Sequence, residues 1–229
     1  MDATVAAPGP TPRTNAAVKA PAAAERVYAH VKSGVLDRRY EGGTLLTEGD
    51  LAVAVGVSRT PVREALLRLE AEGLLKLYPK KGALVLPVSA QEIADVVETR
   101  LLVEQHAVAK VVEAVPAGLI ERLEESLAEQ RRHAEAGDLA AFAVADRCFH
   151  ATIVRAAGNR ILAQLYDQLR DRQLRMGVAT MHAEPSRVAK NVTEHTEILQ
   201  ALREGAAATA ADVVRRHISW VRVLARGES

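Results

Sequence analysis

The sequence has few aromatic residues and one cysteine, and each scarcity excludes a class of structure. Phe, Trp and Tyr together make up 3% of the 229 residues, whereas Ala, Leu, Val, Arg and Glu dominate. This mixture favours packed helices over a β-sandwich. Because Cys148 is the only cysteine, an intramolecular disulfide is excluded.

Long apolar runs are also missing. No run approaches the roughly 18 residues that a membrane-spanning helix needs, so no membrane partner is expected. The first residues are rich in Ala, Pro and Thr and lack the charged-then-apolar pattern of a signal peptide. We therefore expect a disordered tail over residues 1–24 and a cytoplasmic protein.

The charge is nearly balanced overall but unevenly distributed. The formal net charge is +1, which by itself indicates no nucleic-acid partner. Residues 26–88 contain ten basic and seven acidic residues, whereas the chain beyond residue 88 contains 18 basic and 20 acidic residues. The mild excess of positive charge is in the part of the chain that the following motifs assign to DNA.

Leu51 to Leu75 has the pattern of two short helices joined by a tight turn at Gly56. Arg59 and Arg63 are four residues apart, about one turn, so they project from one face near the N-terminus of the second helix. Two guanidinium groups in that place suit the edge of guanine and the DNA phosphates. The alternative is ordinary helix packing with a solvated arginine pair.

Two short apolar runs flank the basic turn Pro79-Lys80-Lys81-Gly82, which predicts a β-hairpin. Three helices followed by a hairpin make a winged helix-turn-helix, which we place at residues 25–88. Lys80 and Lys81 at the hairpin tip would contact the DNA backbone or the minor groove. The basic tip favours DNA binding over the packing alternative.

The remaining residues, 89–229, predict a helical bundle. Helix breakers divide this part into about six segments of roughly 20 residues joined by short turns, the pattern of an antiparallel bundle. The breakers are Pro116, Gly137, Gly158, Pro185 and Gly205. The predicted fold class is therefore mainly α, with an N-terminal winged helix-turn-helix domain followed by an all-α antiparallel bundle.

Four residues of the bundle have the spacing of metal ligands. Asp146 and His150 are i,i+4 on one helix. His195 and His217 each lie about eleven residues from the break near Gly205, so adjacent antiparallel helices place them at similar height. Three imidazoles and a carboxylate predict a divalent metal site with open positions, with zinc or nickel expected first. Taken alone, each histidine is more often a core or surface residue.

The motif GVSRTPVREAL at residues 56–66, within the run Leu46 to Leu74, closely resembles the winged-helix domain of GntR-family bacterial repressors. The resemblance implies that Arg59, Thr60 and Arg63 read or grip DNA. It also implies that Lys81 and Gly82 enter the minor groove. This chain differs from the family in having Gly49 where an arginine is frequent and Gly42-Gly43 where Pro-Gly is usual.

The bundle is similar to the FCD effector domain of the FadR subfamily. The resemblance is carried by DRCFH at residues 146–150, by Glu194-His195 and by Arg216-His217. It implies that the family's metal ligands fall on Asp146, His150, His195 and His217. Six helical segments rather than seven point to the VanR-like branch of the subfamily.

Arg100 and Glu104 match the Arg-x-x-x-Glu pattern of the same family, which implies a role in effector binding. An arginine that faces a cavity can bind a carboxylate in bidentate fashion, so the effector would span metal and guanidinium. The alternative is an i,i+4 salt bridge between Arg100 and Glu104 at the surface.

These patterns predict a ligand-responsive transcription regulator, in this family most often a repressor. A homodimer would bind an inverted-repeat operator in double-stranded DNA and sense a small carboxylic acid at the metal site. One alternative is a metal-ion sensor, in which the ion itself is the effector. A metal-dependent hydrolase is a second alternative, but the sequence shows no clear general base for it.

Overall fold

The computed structural model describes residues 21–225, with side chains as far as Val221. Most of the tail expected over residues 1–24 lies outside this range. Its end is corrected, because Ala23 and Ala24 belong to the first helix. The alanine run preceding Glu25 has high helix propensity and extends that helix backwards.

The N-terminal part is a winged helix-turn-helix, as predicted. Its three strands, β1 (Leu45–Leu46), β2 (Leu75–Tyr78) and β3 (Gly82–Val85), form one antiparallel sheet in the order β1-β3-β2. The two-residue strand β1 is too short for a periodic pattern, and the sequence did not predict it. In chain order the elements are α1 (Ala23–Leu36), β1 (Leu45–Leu46), α2 (Glu48–Val55), α3 (Arg59–Ala71), β2 (Leu75–Tyr78) and β3 (Gly82–Val85).

Local chemistry explains where α2 begins and how α3 packs. The Thr47 hydroxyl caps α2 by accepting a hydrogen bond from the Asp50 backbone N–H at 3.1 Å. Gly56 ends α2 in the left-handed conformation, with φ +69°. One face of α3 is fully buried against α1 and the sheet, and it consists of Val62, Ala65, Leu66 and Leu69.

The C-terminal part is a helical bundle, which confirms the predicted fold class. Its helices are α4 (Ala90–Glu113), α5 (Leu119–Ala136), α6 (Leu139–Ala156), α7 (Arg160–Gln168), α8 (Arg170–Ala183), α9 (Ser186–Glu204) and α10 (Ala207–Ala225). These seven helices correspond to six segments when α7 and α8 are counted together. The break between them, at Leu169, contains neither Gly nor Pro, so a count based on breaker residues cannot detect it.

The bundle has its own apolar core. α4 packs along α10 and α6, and α5 packs along α6 and α9. A smaller apolar cluster between α6 and α8 also takes in Leu36 from the end of α1, so the two parts of the chain are in contact. Within residues 21–225, every helix is too short or too polar to cross a membrane.

The wing approaches β1 closely at Gly82, and this contact is testable. A Cβ at Gly82 would lie 2.3 Å from the Leu46 carbonyl oxygen, and φ is +124°. We expect Gly82→Ala to lower the free energy of unfolding by about 3 kcal/mol, through clash and backbone strain together. Urea denaturation followed by circular dichroism measures this.

Gly43→Ala is the matched control for that substitution. Gly43 also has positive φ, +92°, but no described atom lies within 4 Å of a Cβ built there. Gly43→Ala should therefore lower the free energy of unfolding by only about 1 kcal/mol, because only the backbone conformation is unfavourable for alanine. Equal costs for the two variants would contradict the close approach as the cause.

Candidate functional site

A groove between α3 and the wing collects most of the predicted DNA-binding residues. It is lined by Arg59, Arg63, Lys80, Lys81 and Gly82. The four cationic side chains are exposed. Thr60 is also exposed, next to Arg59 at the start of α3, but it does not line the groove. The groove therefore presents four positive charges beside the N-terminus of a helix, which is an arrangement suited to DNA.

Glu48 orients one of these arginines, and the sequence did not predict it. The Arg63 Nε donates to both carboxylate oxygens of Glu48, each at 2.8 Å. The Arg63 side chain nevertheless remains 65% exposed, so part of the guanidinium stays accessible. Gly49 lies close to the other arginine, because a Cβ built there would be 3.8 Å from Arg59 Nη2.

The four predicted metal ligands meet inside the bundle. The Nε2 atom of His150 lies 3.0 Å from that of His195 and 3.1 Å from that of His217. The Nε2 atoms of His195 and His217 are 3.3 Å apart. Asp146 Oδ1 lies 3.5 Å from His195 Nε2, and one ligand atom from each residue falls within 4.8 Å of all the others. The three histidines are buried.

Each imidazole is held from behind through its Nδ1 atom. The partner of His150 Nδ1 is Glu104 Oε2 at 2.7 Å, and that of His195 Nδ1 is Gln130 Oε1 at 2.6 Å. His217 Nδ1 is 2.8 Å from Glu194 Oε2. A carboxylate or amide oxygen only accepts, so each Nδ1 carries the proton and donates it.

His217 has a second neighbour at the same nitrogen, which bears on its tautomer. Arg187 Nη2 lies 3.2 Å from His217 Nδ1 and can only donate. The contact with Glu194 is shorter and charge-assisted, and Arg187 also donates to Glu194 itself and to the His217 carbonyl oxygen. We therefore assign the Nδ1 proton of His217 to the bond with Glu194.

The consequence is that the three Nε2 atoms face one another in a buried space. Burial lowers the pKa of His195 well below its usual value, and the neighbouring His217 and His150 lower it further. Burial likewise lowers the pKa of His217, with His150 contributing next. These two neutral rings cannot satisfy each other's lone pairs, because their protons are used at Nδ1.

A divalent metal ion fits this donor set. Two imidazole nitrogens bound at about 2.1 Å would be about 3.0 Å apart at a right angle and about 3.4 Å apart at a tetrahedral angle. The observed separations of 3.0 to 3.3 Å fall in that interval. The outer acceptors are the hydrogen-bond partners that metal-binding histidines usually have.

Arg100 and Glu104 form a buried pair and not a surface one. Arg100 is 8% exposed and Glu104 is 3% exposed. Arg100 Nε donates to Glu104 Oε1 at 2.6 Å, and the Tyr166 hydroxyl donates to the same oxygen at 2.8 Å. Burial alone would raise the pKa of Glu104, but Arg100 and His150 outweigh it and hold that pKa well below its usual value.

A small cavity adjoins the histidine cluster. Arg100, Asp146 and His217 line it. Glu104 lies on the far side of His150, at the Nδ1 atom of that ring. The free volume is about 40 Å³. Two buried atoms of its lining, Gln173 Nε2 and Asn191 Oδ1, have no hydrogen-bond partner among the described residues. A ligand with both acceptor and donor groups would satisfy them.

The sequence predicted that Asp146, His150, His195 and His217 meet, but it did not predict the residues that bond to the outer nitrogens of the histidines. Gln130 lies on α5 and Tyr166 on α7, and neither has a local pattern that links it to the cluster. Glu194 belongs to the Glu194-His195 motif that carries the family resemblance, but the sequence predicted no role for it. The cavity also has two arginines that the sequence did not predict, Arg147 and Arg187.

Comparison with known families assigns both parts of the chain. Residues 23–85 match the bacterial regulatory proteins of the gntR family, and residues 95–219 match the FCD domain. An HTH-type transcriptional regulator from an unstable DNA locus of Streptomyces ambofaciens is 32% identical over 199 residues, covering 85% of this chain and 81% of the relative.

Other relatives are regulators as well. The gluconate operon transcriptional repressor of Bacillus subtilis is 30% identical over 145 residues, covering 63% of this chain and 59% of the relative. Escherichia coli McbR/YncC superposes with a TM-score of 0.70 at 23% identity, over 91% of this chain and 99% of that structure. A GntR regulator structure from Rhodococcus sp. RHA1 superposes with a TM-score of 0.76 at 21% identity, over 90% of this chain and 98% of that structure. The two structures show that the fold is shared.

The buried pair of Arg100 and Glu104 yields a stability prediction. Glu104→Gln would leave the Arg100 guanidinium buried without its counter-charge, so we expect a loss of about 3 kcal/mol in the free energy of unfolding. Urea denaturation in the presence of a chelator measures it without any contribution from metal. Glu129→Gln, which breaks an exposed pair with Arg132 on α5, should cost at most about 0.5 kcal/mol. Equal costs would show that burial is not what makes the pair important.

Proposed function

This chain belongs to the GntR family of bacterial regulatory proteins and carries an FCD domain, and we propose that it represses transcription in response to a small carboxylic acid. The family and the relatives make it a transcriptional regulator and not an enzyme. The finer proposal has three parts, namely a metal site, a carboxylate effector and a dimer on an inverted-repeat operator.

The metal site is proposed on one observation, the convergence of three Nε2 lone pairs whose rings are fixed from behind. His150, His195 and His217 would hold the ion, and Asp146 would supply a carboxylate oxygen. Zinc and nickel both suit an imidazole-rich set. When bound, the ion would supply a Lewis-acidic position for an oxygen of the effector.

The cavity supports an acidic effector. Arg100 uses Nε and Nη2 toward Glu104, and among the described residues Nη1 has no partner. Gln173 Nε2 is a second unused donor. A carboxylate accepting from Arg100 would complete these bonds while its other oxygen points toward the histidines.

The size of the cavity narrows the class of acid. A volume of about 40 Å³ holds a few water molecules or a short acid of that size. The Bacillus subtilis relative is named for the gluconate operon, and gluconate is a six-carbon acid. An acid of that length would require the cavity to open, so we propose a short-chain carboxylate.

The DNA-binding part of the proposal rests on the groove of Arg59, Arg63, Lys80 and Lys81. One such groove reads one half-site, and a homodimer would place two recognition helices on successive major grooves of an inverted repeat. Effector binding would change operator affinity, and the operator would change effector affinity by the same factor.

A metal-ion sensor is the second candidate. It is favoured by the same small volume, because four protein ligands and little free space leave the ion itself as the main occupant. The two candidates differ in one measurement. If operator affinity follows metal concentration with no acid present, and added acids leave it unchanged, the ion is the effector.

Metal and acid binding can be tested together by thermal shift. We expect zinc or nickel at about a hundred times its dissociation constant to stabilise the protein by about 2.7 kcal/mol. A short carboxylate should add to this, and its effect should disappear with EDTA. His195→Gln should abolish the metal effect, whereas His106→Gln, an exposed histidine on α4, should preserve it. Equal metal responses in both variants would reject the site.

DNA binding can be tested by gel shift on an operator selected from random DNA. Arg59→Ala and Arg63→Ala should each weaken specific binding at least tenfold, about 1.4 kcal/mol or more, because each removes a guanidinium from the groove. Arg68→Ala is the matched control, since Arg68 is an exposed arginine of α3 that instead pairs with Glu25. Unchanged affinity in both groove variants would contradict the assignment.

A further inference from the structure

Helix α8 contacts both the cavity and the winged helix. From this position we infer that α8, acting through Asp171 and Arg175, connects the occupancy of the cavity to the placement of the DNA-binding part. The inference rests on the proposed function, because it takes the cavity as the place where the ligand binds.

One face of α8 belongs to the cavity. Gln173, Met176, Gly177 and Thr180 line it, with Gln173 placing an unpaired buried Nε2 there. A ligand that fills the cavity therefore lies against α8. A ligand that accepts a hydrogen bond from Gln173 would favour the position of α8 that makes this bond.

The first turn of α8 is joined to the winged helix. Asp171 Oδ2 lies 2.7 Å from Lys32 Nζ on α1. The same ammonium donates to Glu72 at 2.8 Å, at the end of the recognition helix α3. Lys32 thus connects α8 with α1 and with α3, the helix that forms one side of the groove. Leu36 at the end of α1 adds an apolar contact with the cluster that contains Leu174.

Arg175 connects α8 with the segment that links the two parts of the chain. Its Nη2 donates to both carboxylate oxygens of Glu92, at 2.6 and 2.7 Å, in the first turn of α4. Its Nη1 donates to the Leu86 carbonyl oxygen at 3.3 Å, just after the wing. Arg175 is 6% exposed, so these bonds are shielded from water and strong.

The same turn of α8 contains an unusual share of unsatisfied polar atoms. Five buried side-chain atoms have no hydrogen-bond partner within the described residues, and three of them are Asp171 Oδ1, Gln173 Nε2 and Arg175 Nε. A buried polar atom without a partner costs about 1 to 3 kcal/mol. The junction is therefore incompletely bonded in this arrangement, and a small shift of α8 can exchange partners at low net cost.

The local sequence also lowers the intrinsic helix stability of α8. It follows the break at Leu169, and no side chain within the described residues caps its N-terminus. Gly177 lies in the middle of the helix, where glycine costs about 0.5 to 1 kcal/mol relative to alanine. An element that touches both sites can transmit a change between them.

The test is hydrogen–deuterium exchange of the full-length protein with zinc chloride as the probe. In the unmodified chain, zinc should slow exchange in α6, α9 and α10, which carry the histidines, and also in α1. In Asp171→Asn, zinc should still slow exchange in the histidine helices, but its slowing of exchange in α1 should fall about fivefold or more. A factor of about five is the lower end of the coupling usually found between two sites in allosteric proteins. Asp171→Glu, which keeps the charge, should restore the slowing of exchange in α1.

Glu124→Gln is the matched control, because Glu124 pairs with Arg203 across α5 and α9, away from the junction. The zinc response of α1 in this variant should equal that of the unmodified chain. An α1 response that Asp171→Asn leaves intact would overturn the inference, and so would a zinc effect confined to the bundle in the unmodified chain.

If zinc protects no histidine helix, the metal proposal fails and the zinc-free comparison decides the inference. Asp171→Asn should then accelerate exchange in α1 and in the cavity-lining part of α8 together, whereas Glu124→Gln should accelerate neither. Unchanged exchange in α1 would reject the role of α8 independently of the metal.

Discussion

The central constraint on this molecule is the meeting of three imidazoles whose Nε2 atoms lie 3.0 to 3.3 Å apart in a buried space. The rings belong to α6, α9 and α10, while the acceptors behind them belong to α4, α5 and α9. A single cluster therefore ties five helices together. Because imidazole lone pairs repel one another unless a cation or proton intervenes, this packing makes chemical sense as a ligand set.

The same cluster organises the charges around it. Glu104 orients His150 and neutralises Arg100, and Glu194 orients His217 and binds Arg187. The buried arginines are thus held by the acceptors that hold the histidines. Arg100 and Arg187 also line the cavity, so the acceptors that orient His150 and His217 also fix two guanidinium groups in the cavity wall. Through α8, this cavity adjoins the ion pair of Lys32 and Asp171, which connects it with the winged helix.

Much of the fold could be predicted because its signals are local. Thr47 precedes the first residue of α2, where a hydroxyl can cap a helix, and it accepts a hydrogen bond from the Asp50 backbone N–H. The buried stripe of α3 follows from helical periodicity. The elements that were missed have no such signal, since β1 has two residues and the break between α7 and α8 has neither Gly nor Pro. β1 forms because Leu45 and Leu46 find partners in β3, which lies almost forty residues further along the chain.

The sequence by itself determined the two parts of the chain and the meeting of Asp146, His150, His195 and His217, since i,i+4 spacing and equal distances from a turn are properties of the helix. Tertiary structure decided everything that depends on two helices meeting. It buried the pair of Arg100 and Glu104, for which spacing alone allowed either a cavity-facing arginine or a surface salt bridge. It also placed Gln130 against His195, from which it is 65 residues away in the sequence. It also placed α8 between the cavity and α1. The physical reason is that burial and the partners of a polar atom are set by packing, which no local spacing specifies.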